Sequence, residues 1–296
     1  MKKQIKGIIF LWAIFNIVFY YHVSVWAEQK GLFWEVSSNK STVYILGSVH
    51  LFKKEIYPLD QKIEQAFNSS EVIVFEVNLN EIDSMDMLAL FQQKGLYPEG
   101  DSLKSHISET TLNLLMPRLQ SYGVPVELAM RFRPWLLAMT LQSMELQRLG
   151  FMTEYGIDRY FFEKAEGKEI TGLESAQYQI EIFDSLSEKV QELFLLYTIR
   201  DMDQLSSITD QILKAWESGD ISIVEKLIFR PLKEDPGFLP LYEILFYERN
   251  SAMALKIENF LKTGKRYFVI TGAGHLVGDK GIIEILKKKG YKVRQI

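Results

Sequence analysis

The sequence predicts an α/β protein with a mixed sheet, built from β/α units at both chain ends and interrupted by a long helical insertion. Two observations carry this prediction. β-Rich runs cluster within residues 33–78 and 266–296, and helical periodicity dominates from about residue 80 to residue 262. The 296 residues, 47% hydrophobic and 24% charged, have the composition of a folded globular protein.

The first unit is predicted to be β-β-α-β. Residues 33–37 and 42–47 are β-rich runs joined by a polar turn, which is typical of a hairpin. Asp60 can cap a following helix through its carboxylate. The next run, residues 71–78, is β-branched without interruption and predicts a strand buried on both faces.

The last unit is predicted to be β-α-β. Residues 266–271 form a strand, a glycine-rich turn follows, and residues 280–289 form a helix that ends before Gly290. Residues 291–296 form the final strand. The two terminal units most simply pair into one sheet.

Between these units, residues 80–262 are expected to be a mainly helical insertion with one short strand at residues 168–173. No low-complexity linker divides the chain. We therefore expect residues 28–296 to form one α/β domain, with the insertion as a helical cap.

Residues 1–27 are typical of a signal peptide. Three lysines lie within the first six residues, an apolar stretch follows, and Val25-Trp26-Ala27 suits cleavage before Glu28. The alternative is an uncleaved N-terminal anchor, since about 20 apolar residues span a bilayer. We expect an exported protein, periplasmic or extracellular, that touches a membrane only through this segment if it is retained.

Charge and composition exclude several classes of function. The 34 basic and 38 acidic residues give a net charge of −4, which becomes −7 without the signal peptide. This disfavours a nucleic-acid partner. The sequence contains no Cys, so thiolate zinc sites, Cys nucleophiles and disulfides are excluded. A peptide or small-molecule substrate is expected instead.

Two of the histidines that follow the signal peptide share one local context. His50 and His275 each come three residues after a glycine, Gly47 or Gly272, that ends a predicted strand. Sites in α/β sheets form at the carboxyl ends of strands, where glycine allows a sharp turn. His106 is expected to be a surface helix residue.

Glu76 interrupts the buried run and needs a partner, because an unpaired buried carboxylate is costly. Two imidazoles and a carboxylate are a usual ligand set for a hydrolytic divalent metal, which favours a site of His50, His275 and Glu76. The main alternative is a salt bridge from Glu76 to an arginine such as Arg133.

The glycines of residues 272–278 resemble a dinucleotide fingerprint with one extra residue. That fingerprint also needs an acidic residue at the end of a second strand about 20 positions later, which is missing here. No nucleotide cofactor is expected.

These features together resemble the TraB/PrgY/GumN family, which is related to the Tiki membrane-associated metalloproteases of animals. The resemblance covers nearly the whole chain after the signal peptide. The matching motifs, in order, are Gly47-Ser-Val-His50-Leu, Glu76, Arg133-Pro134-Trp135, Gly156-Ile157-Asp158, Gly172-Leu173-Glu174 with Gln177 close behind, Glu248-Arg249-Asn250 and Gly272-Ala-Gly-His275-Leu-Val-Gly.

The resemblance implies a Tiki/erythromycin-esterase-like core that binds a divalent ion such as Mn²⁺, Co²⁺ or Zn²⁺ and cleaves peptides. By the same match, His50 and His275 are metal ligands, and Glu76 is a ligand or the general base. Glu174 and Asp158 are further candidates for base or ligand.

Arg133 or Arg249 is, by the same resemblance, a candidate to stabilise an oxyanion. Asp158 has the alternative of only capping a helix, and Arg249 of only pairing with an acid. The predicted function is an exported metal-dependent hydrolase, a peptidase. The alternatives are a non-catalytic protein that binds or sequesters a peptide or pheromone, and a structural role in which the histidines brace the sheet.

Overall fold

The computed structural model describes residues 31–82 and 85–296. The predicted signal peptide lies outside the described residues, so its cleavage or retention stays a prediction. Within the two described ranges, no helix combines the length and the hydrophobicity needed to cross a bilayer.

The described residues form one six-stranded mixed sheet, and each strand lies within about one residue of its predicted position. The strands are β1 (Phe33–Ser37), β2 (Thr42–Ser48), β3 (Val72–Val77), β4 (Glu169–Glu174), β5 (Arg266–Gly272) and β6 (Lys292–Gln295). They are arranged in the order β4-β3-β5-β2-β1-β6. The predicted fold class is thereby confirmed.

Four adjacent strands, β4, β3, β5 and β2, run parallel to one another. The strand β1 pairs antiparallel with both β2 and β6. The hairpin predicted from the sequence is therefore present, with Val36 opposite Val43. Because the four parallel strands point the same way, their carboxyl ends meet at one edge of the sheet.

Helices occupy most of the chain between β3 and β5. The α-helices of the described ranges are α1 (Gln61–Ser69), α2 (Leu79–Ile82), α3 (Met85–Gly95), α4 (Glu109–Ser121), α5 (Val126–Ala129), α6 (Pro134–Arg148), α7 (Ile157–Lys164), α8 (Ala176–Ser185), α9 (Glu188–Asp201), α10 (Leu205–Ser218), α11 (Ile221–Ile228), α12 (Arg230–Glu234), α13 (Leu239–Tyr242), α14 (Arg249–Phe260), α15 (Ala273–Leu276) and α16 (Ile282–Lys288). A π-helix, Glu243–Glu248, leads into α14.

Local sequence explains where several helices begin. Asp60 caps α1 as predicted, because its Oδ1 accepts a hydrogen bond from the backbone N–H of Lys62 at 2.7 Å. The last helix begins at Ile282 rather than Lys280, because Gly281 is its extended N-cap residue. The short helix α15 fills the turn that the glycines suggested.

The largest hydrophobic core lies around the sheet. Phe161 packs against Phe67 and Phe268 at ring-centroid distances of 4.8 Å and 5.1 Å, and all three side chains are buried. Side chains of this size contribute about 1.5–3 kcal/mol each when fully buried. These contacts fix α1 and α7 against the strands that carry the histidines.

The helical insertion has cores of its own and is also bonded directly to the sheet. Leu115, Leu137 and Leu195 are fully buried in a cluster formed by the helices α4, α6 and α9. Trp216 of α10 donates its indole N–H to the carbonyl oxygen of Gly47 at 2.6 Å. The insertion is therefore held directly at the end of β2.

The expectation for His106 was wrong. This residue follows a 3₁₀ turn, before α4 begins, and its ring stacks on Tyr97 at 4.4 Å. Its Nδ1 lies 2.8 Å from Glu188 and its Nε2 lies 3.0 Å from Asp101. The two acids hold the ring in a partly buried cluster rather than on the surface of a helix.

Candidate active site

His50 lies just beyond the end of β2. Gly47, one residue before the end of β2, permits close packing there, because a Cβ at this position would lie 3.0 Å from the Cβ of Leu32. The Nδ1 atom of His50 lies 2.9 Å from Oδ2 of Asp158. The same carboxylate accepts a hydrogen bond from the hydroxyl of Ser48. With Nδ1 engaged, Nε2 is the ring nitrogen that remains for a ligand.

The start of α7 brings Asp158 to His50. A Cβ on Gly156 would overlap the carbonyl oxygen of His50, so only glycine permits this approach. The next residue, Ile157, donates its backbone N–H to Val49 at 3.3 Å. Gly156-Ile157-Asp158 is thus a docking segment that orients His50. The N-cap of α7 is Gly156, so Asp158 does not cap this helix.

His275 lies in α15, just beyond the end of β5, and its side chain is buried. Its Nδ1 lies 2.6 Å from Oδ1 of Asn250. Asn250 donates its own amide to the carbonyl oxygen of Lys280 at 2.9 Å, which leaves Oδ1 as the atom that faces the imidazole. This arrangement places a proton on Nδ1 and a lone pair on Nε2 in the neutral ring.

Glu76 lies on β3, which pairs with β5, the strand that leads into His275. Its Oε2 accepts hydrogen bonds from the hydroxyl of Thr271 at 3.0 Å and from the backbone N–H of Gly272 at 2.8 Å. Its Oε1 accepts from Arg249 at 2.6 Å and from Gln179 at 2.9 Å. Both oxygens of this buried carboxylate are therefore satisfied within the protein.

Arg249 links Glu76 to a second acid, Glu174, at the end of β4. Its Nη2 lies 2.7 Å from Oε2 of Glu174 and its Nε lies 2.9 Å from Oε1. Its Nη1 donates to the carbonyl oxygen of Leu245 at 3.0 Å. Gln179 also reaches Glu174, at 3.2 Å. The guanidinium group thus bridges two buried carboxylates, and each of its nitrogens has a protein acceptor.

The environment sets the ionisation of these groups. Burial alone would raise the pKa of Glu76, but Arg249, His50 and the N–H of Gly272 hold it well below its usual range. Burial lowers the pKa of His275, with only partial opposition from Glu76. Glu76 is therefore a carboxylate and His275 a neutral imidazole at neutral pH.

The pKa of His50 is shifted in the opposite direction. The charge of Asp158 raises the pKa of His50 above its ordinary value, although burial opposes the rise. Because 61% of the His50 side chain is exposed, solvent screens this interaction. The two histidines thus differ, since one is exposed and paired with an acid and the other is buried and paired with an amide.

Two cavities meet at this group of residues and share His50, Glu76 and Gln179. The first has a volume of about 650 Å³ and polar walls that include Asp158. The second has a volume of about 570 Å³, contains His275 in its wall and extends under the helical insertion. A substrate can therefore reach both imidazoles from one continuous space.

The pair of His275 and Glu76 has donor chemistry that suits a divalent cation. Nε2 of His275 lies 3.7 Å from Oε1 of Glu76. A lone pair and a carboxylate oxygen that face each other repel unless a cation or a proton lies between them. Because Zn–N and Zn–O distances are about 2.1 Å, one ion can contact both atoms.

The third predicted ligand is not assembled with this pair. Among residues 31–82 and 85–296, no three side chains of His, Asp or Glu form a group that could hold a metal ion. His50 is turned toward Asp158, and Oε1 of Glu76 is occupied by Arg249 and Gln179. The metal site of His50, His275 and Glu76 therefore stays a prediction.

Arg133 lies apart from the other predicted residues. It precedes α6, where its guanidinium group lies 3.9 Å from Asp184 and 5.3 Å from the ring centre of Tyr97. It is not among the residues that line the two cavities. The arginine that pairs with Glu76 is Arg249, so the predicted salt bridge exists but with a different partner.

Three residues that position the predicted groups were missed by the sequence analysis: Ser48, Gln179 and Asn250. Asn250 belongs to the matched motif Glu248-Arg249-Asn250, and that place in the motif is the sequence signal that could have marked it. Gln177, which belongs to a family motif, instead bonds Glu181 on the exposed face of α8 at 2.8 Å. Gln179, two positions later, is the residue that reaches Glu76.

The architecture is that of an α/β protein whose site combines strand ends from both halves of one sheet. The chain belongs to the TraB/PrgY/gumN family, whose profile matches residues 32–295. The match covers every strand of the sheet and both Gly-x-x-His motifs.

Several relatives are similar along most of the chain. YbaP of Escherichia coli strain K12 is 25% identical over 251 residues, which cover 82% of this chain and 87% of YbaP. The metalloprotease TIKI homolog of Amphimedon queenslandica is 22% identical over 328 residues, with 93% of this chain and 63% of that protein covered. Human metalloprotease TIKI1 is 20% identical, with 90% and 62% covered. No solved structure matches the chain.

Proposed function

We propose that this protein is an exported, divalent-metal-dependent hydrolase that cleaves peptide bonds. The observation that carries the proposal is the convergence of two Gly-x-x-His strand ends on one space, beside the buried carboxylate of Glu76. Each imidazole has its Nδ1 held by a neighbour and its Nε2 left for a ligand. The similarity to proteins named metalloproteases, at 20–22% identity, supports the same class of reaction.

In this proposal His50 and His275 hold the ion through Nε2, together with Glu76. A bound divalent ion would polarise the scissile carbonyl and lower the pKa of a water. His50 has to approach the pair of His275 and Glu76 for the three groups to act together. The exposure of its side chain, 61%, leaves room for that movement.

The remaining charged residues position these groups. Asp158 orients His50, and Arg249 with Glu174 fixes the carboxylate of Glu76. In the reaction, water adds across the amide: its oxygen forms a bond to the carbonyl carbon, the C–N bond breaks, and a proton passes to the departing nitrogen. Glu76 is ionised and is the proposed acceptor for the proton of the water. Nothing is oxidised or reduced.

Export is part of the proposal and rests on residues 1–27, with their three lysines followed by an apolar stretch. Cleavage before Glu28 would release the protein into the periplasm or the extracellular space. Retention would anchor it to the membrane by its N-terminus. N-terminal sequencing of the protein recovered from cell fractions distinguishes these results.

The first test is metal content. Wild-type protein and the variants His50→Ala, His275→Ala and Glu76→Gln are dialysed against Mn²⁺, Co²⁺ and Zn²⁺ and analysed for bound elements. We expect about one ion per chain in the wild type, lost in both histidine variants. His106→Gln is the matched control, because this histidine lies in a separate cluster. Undiminished metal content in both histidine variants would contradict the proposal.

Hydrolysis is tested with a peptide mixture in ¹⁸O-labelled water. Mass spectrometry should find new carboxyl termini that carry the label in the wild type and not in Glu76→Gln.

One observation favours a second function, the binding of a peptide without turnover: both oxygens of Glu76 are already engaged by protein donors. Intact peptide after long incubation with metal, together with saturable binding, would support that alternative.

A further inference from the structure

The charged side chains that line the second cavity all belong to the site, and the other polar residues of its walls are Ser48, Gln142, Gln179 and Thr209. Its charged groups are His50, Glu76, Arg249 and His275, all at one end. Its other walls are mainly apolar and include Leu146, Phe183, Ile208, Ile212, Leu245 and Phe246. A volume of about 570 Å³ lies within the range of about 300–1,000 Å³ that is usual for ligand pockets.

The helix α10 shows that this apolar surface is not part of a protein core. Leu205, Ile208 and Ile212 follow one face of the helix at helical spacing and line the cavity. Ile208 and Ile212 stay partly exposed, whereas Trp216, farther along the helix, is only 1% exposed. Apolar surface that the protein leaves uncovered gains free energy when a ligand covers it.

The cavity is also continuous with the reacting groups. Phe246 lies with its ring 5.3 Å from the ring of His275, and a Cβ on Gly274 would lie 2.9 Å from the same phenylalanine. The apolar wall therefore begins in contact with one of the two imidazoles. A group seated in the cavity lies immediately beside the bond that the site would attack.

We propose that the substrate is a peptide with bulky, uncharged, apolar side chains on one side of the scissile bond, and that these side chains occupy the second cavity. This inference rests on the proposed hydrolase function and adds the specificity to it. A charged side chain would lose its hydration against walls that are mainly apolar and whose only charged groups belong to the site.

The first cavity receives the other half of the peptide. Its walls carry Glu154, Arg159 and Glu163, and it shares His50 and Glu76 with the apolar cavity. A peptide that runs from one cavity to the other passes both shared residues. The two halves of the substrate therefore meet different surroundings, one mainly apolar and one that presents charged side chains.

The test compares two matched quenched-fluorescence peptides. One has Leu and Phe next to the scissile bond and the other has Asp and Lys. We expect the metal-loaded wild type to cleave the apolar peptide with a kcat/KM higher by about 100-fold or more. Ile212→Asp should lower this value by about tenfold or more, mainly through KM.

The matched control is Ile223→Asp. Ile223 lies on α11, is 36% exposed and does not line the cavity, so this change should leave both values unchanged. Ile212→Thr is the second variant in case Ile212→Asp does not fold. This variant should also lower the preference for the apolar peptide over the charged one. Equal cleavage of the two peptides by a folded wild type would overturn the inference.

A binding measurement separates the specificity from the reaction. Fluorescence anisotropy of the apolar peptide with metal-free wild type should show saturable binding that Ile212→Asp weakens and Ile223→Asp keeps. This result without any hydrolysis would contradict the hydrolase and support the apolar site. If both peptides are hydrolysed at equal rates, and Ile212→Asp does not change those rates, the hydrolase is supported and the apolar site is overturned.

Discussion

Arg249 and Glu76 form a buried ion pair, with 2.6 Å between Nη2 and Oε1 and side chains that are 9% and 8% exposed. Glu174 shares the same guanidinium group at 2.7 Å. One cation therefore serves two buried carboxylates, and the trio keeps a net negative charge. That charge lies next to Nε2 of His275, where a divalent ion is proposed to bind.

Removing the arginine should destabilise the fold. In Arg249→Met, Glu76 and Glu174 remain buried without a counter-ion, which costs about 3–5 kcal/mol for a broken buried pair. We expect a lower midpoint of urea denaturation with an unchanged slope. Circular dichroism of the wild type and the variant across a urea series measures both quantities.

Arg159→Met is the matched control for that prediction. Arg159 pairs with Glu163 at 2.7 Å, but the two side chains are 49% and 61% exposed. Exposed pairs of this kind contribute about 0–1 kcal/mol. Equal shifts of the denaturation midpoint in the two variants would show that the buried trio stabilises the fold no more than an exposed ion pair does.

Asn250 should control the affinity for metal through His275. In Asn250→Ala, nothing holds the proton on Nδ1, so Nε2 no longer presents its lone pair toward Glu76 in one fixed orientation. Losing such a partner typically costs about 10–100-fold in metal affinity. Isothermal titration with Zn²⁺ and Mn²⁺ measures the change.

Asn250→Asp tests whether the acceptor oxygen is the relevant feature. The variant keeps an oxygen opposite Nδ1, loses the donor that reaches the carbonyl oxygen of Lys280 and adds a negative charge beside the imidazole. Its metal affinity should stay closer to the wild type than that of Asn250→Ala. Loss of affinity in both variants alike would assign Asn250 a role in packing only.

The sequence predicted the positions of the site but not its partners. His50 and His275 could be placed because each follows a strand with a glycine, which is a local pattern. The pairing of Glu76 with Arg249 rather than Arg133 depends on a contact between two residues that are 173 positions apart in the sequence. Both arginines belong to matched motifs in the helical insertion, Arg133 just before α6 and Arg249 at the start of α14, and only the packing of α14 against the sheet decides between them.

Gly156 should tolerate no side chain. An added Cβ would overlap the carbonyl oxygen of His50, so Gly156→Ala has to separate the start of α7 from the end of β2. Asp158 would then lose its contact with the imidazole. We expect metal affinity to fall while the helical content stays unchanged.

Asp158→Asn is the comparison for the glycine variant, since it removes the charge and keeps the backbone in place. Circular dichroism and metal titration on both proteins separate displacement from loss of charge. Wild-type metal affinity in Gly156→Ala would show that the approach of α7 to His50 is not needed for binding.

The cluster around His106 should make stability depend on pH. Burial lowers the pKa of His106, but hydrogen bonds to Asp101 and Glu188 outweigh it and raise the pKa above 6.5. A raised pKa means that the folded protein binds the proton more tightly than the unfolded chain. The resulting stabilisation is complete below pH 6.5 and disappears as the pH rises through the pKa of the folded state.

His106→Phe isolates this effect, because phenylalanine keeps the stacking on Tyr97 and removes the charge. We expect the wild type to exceed the variant in free energy of unfolding by more at about pH 5 than at about pH 9. Urea denaturation at both pH values measures the two differences. A difference that is the same at both would mean that packing of the ring, rather than its charge between two acids, holds this part of the insertion.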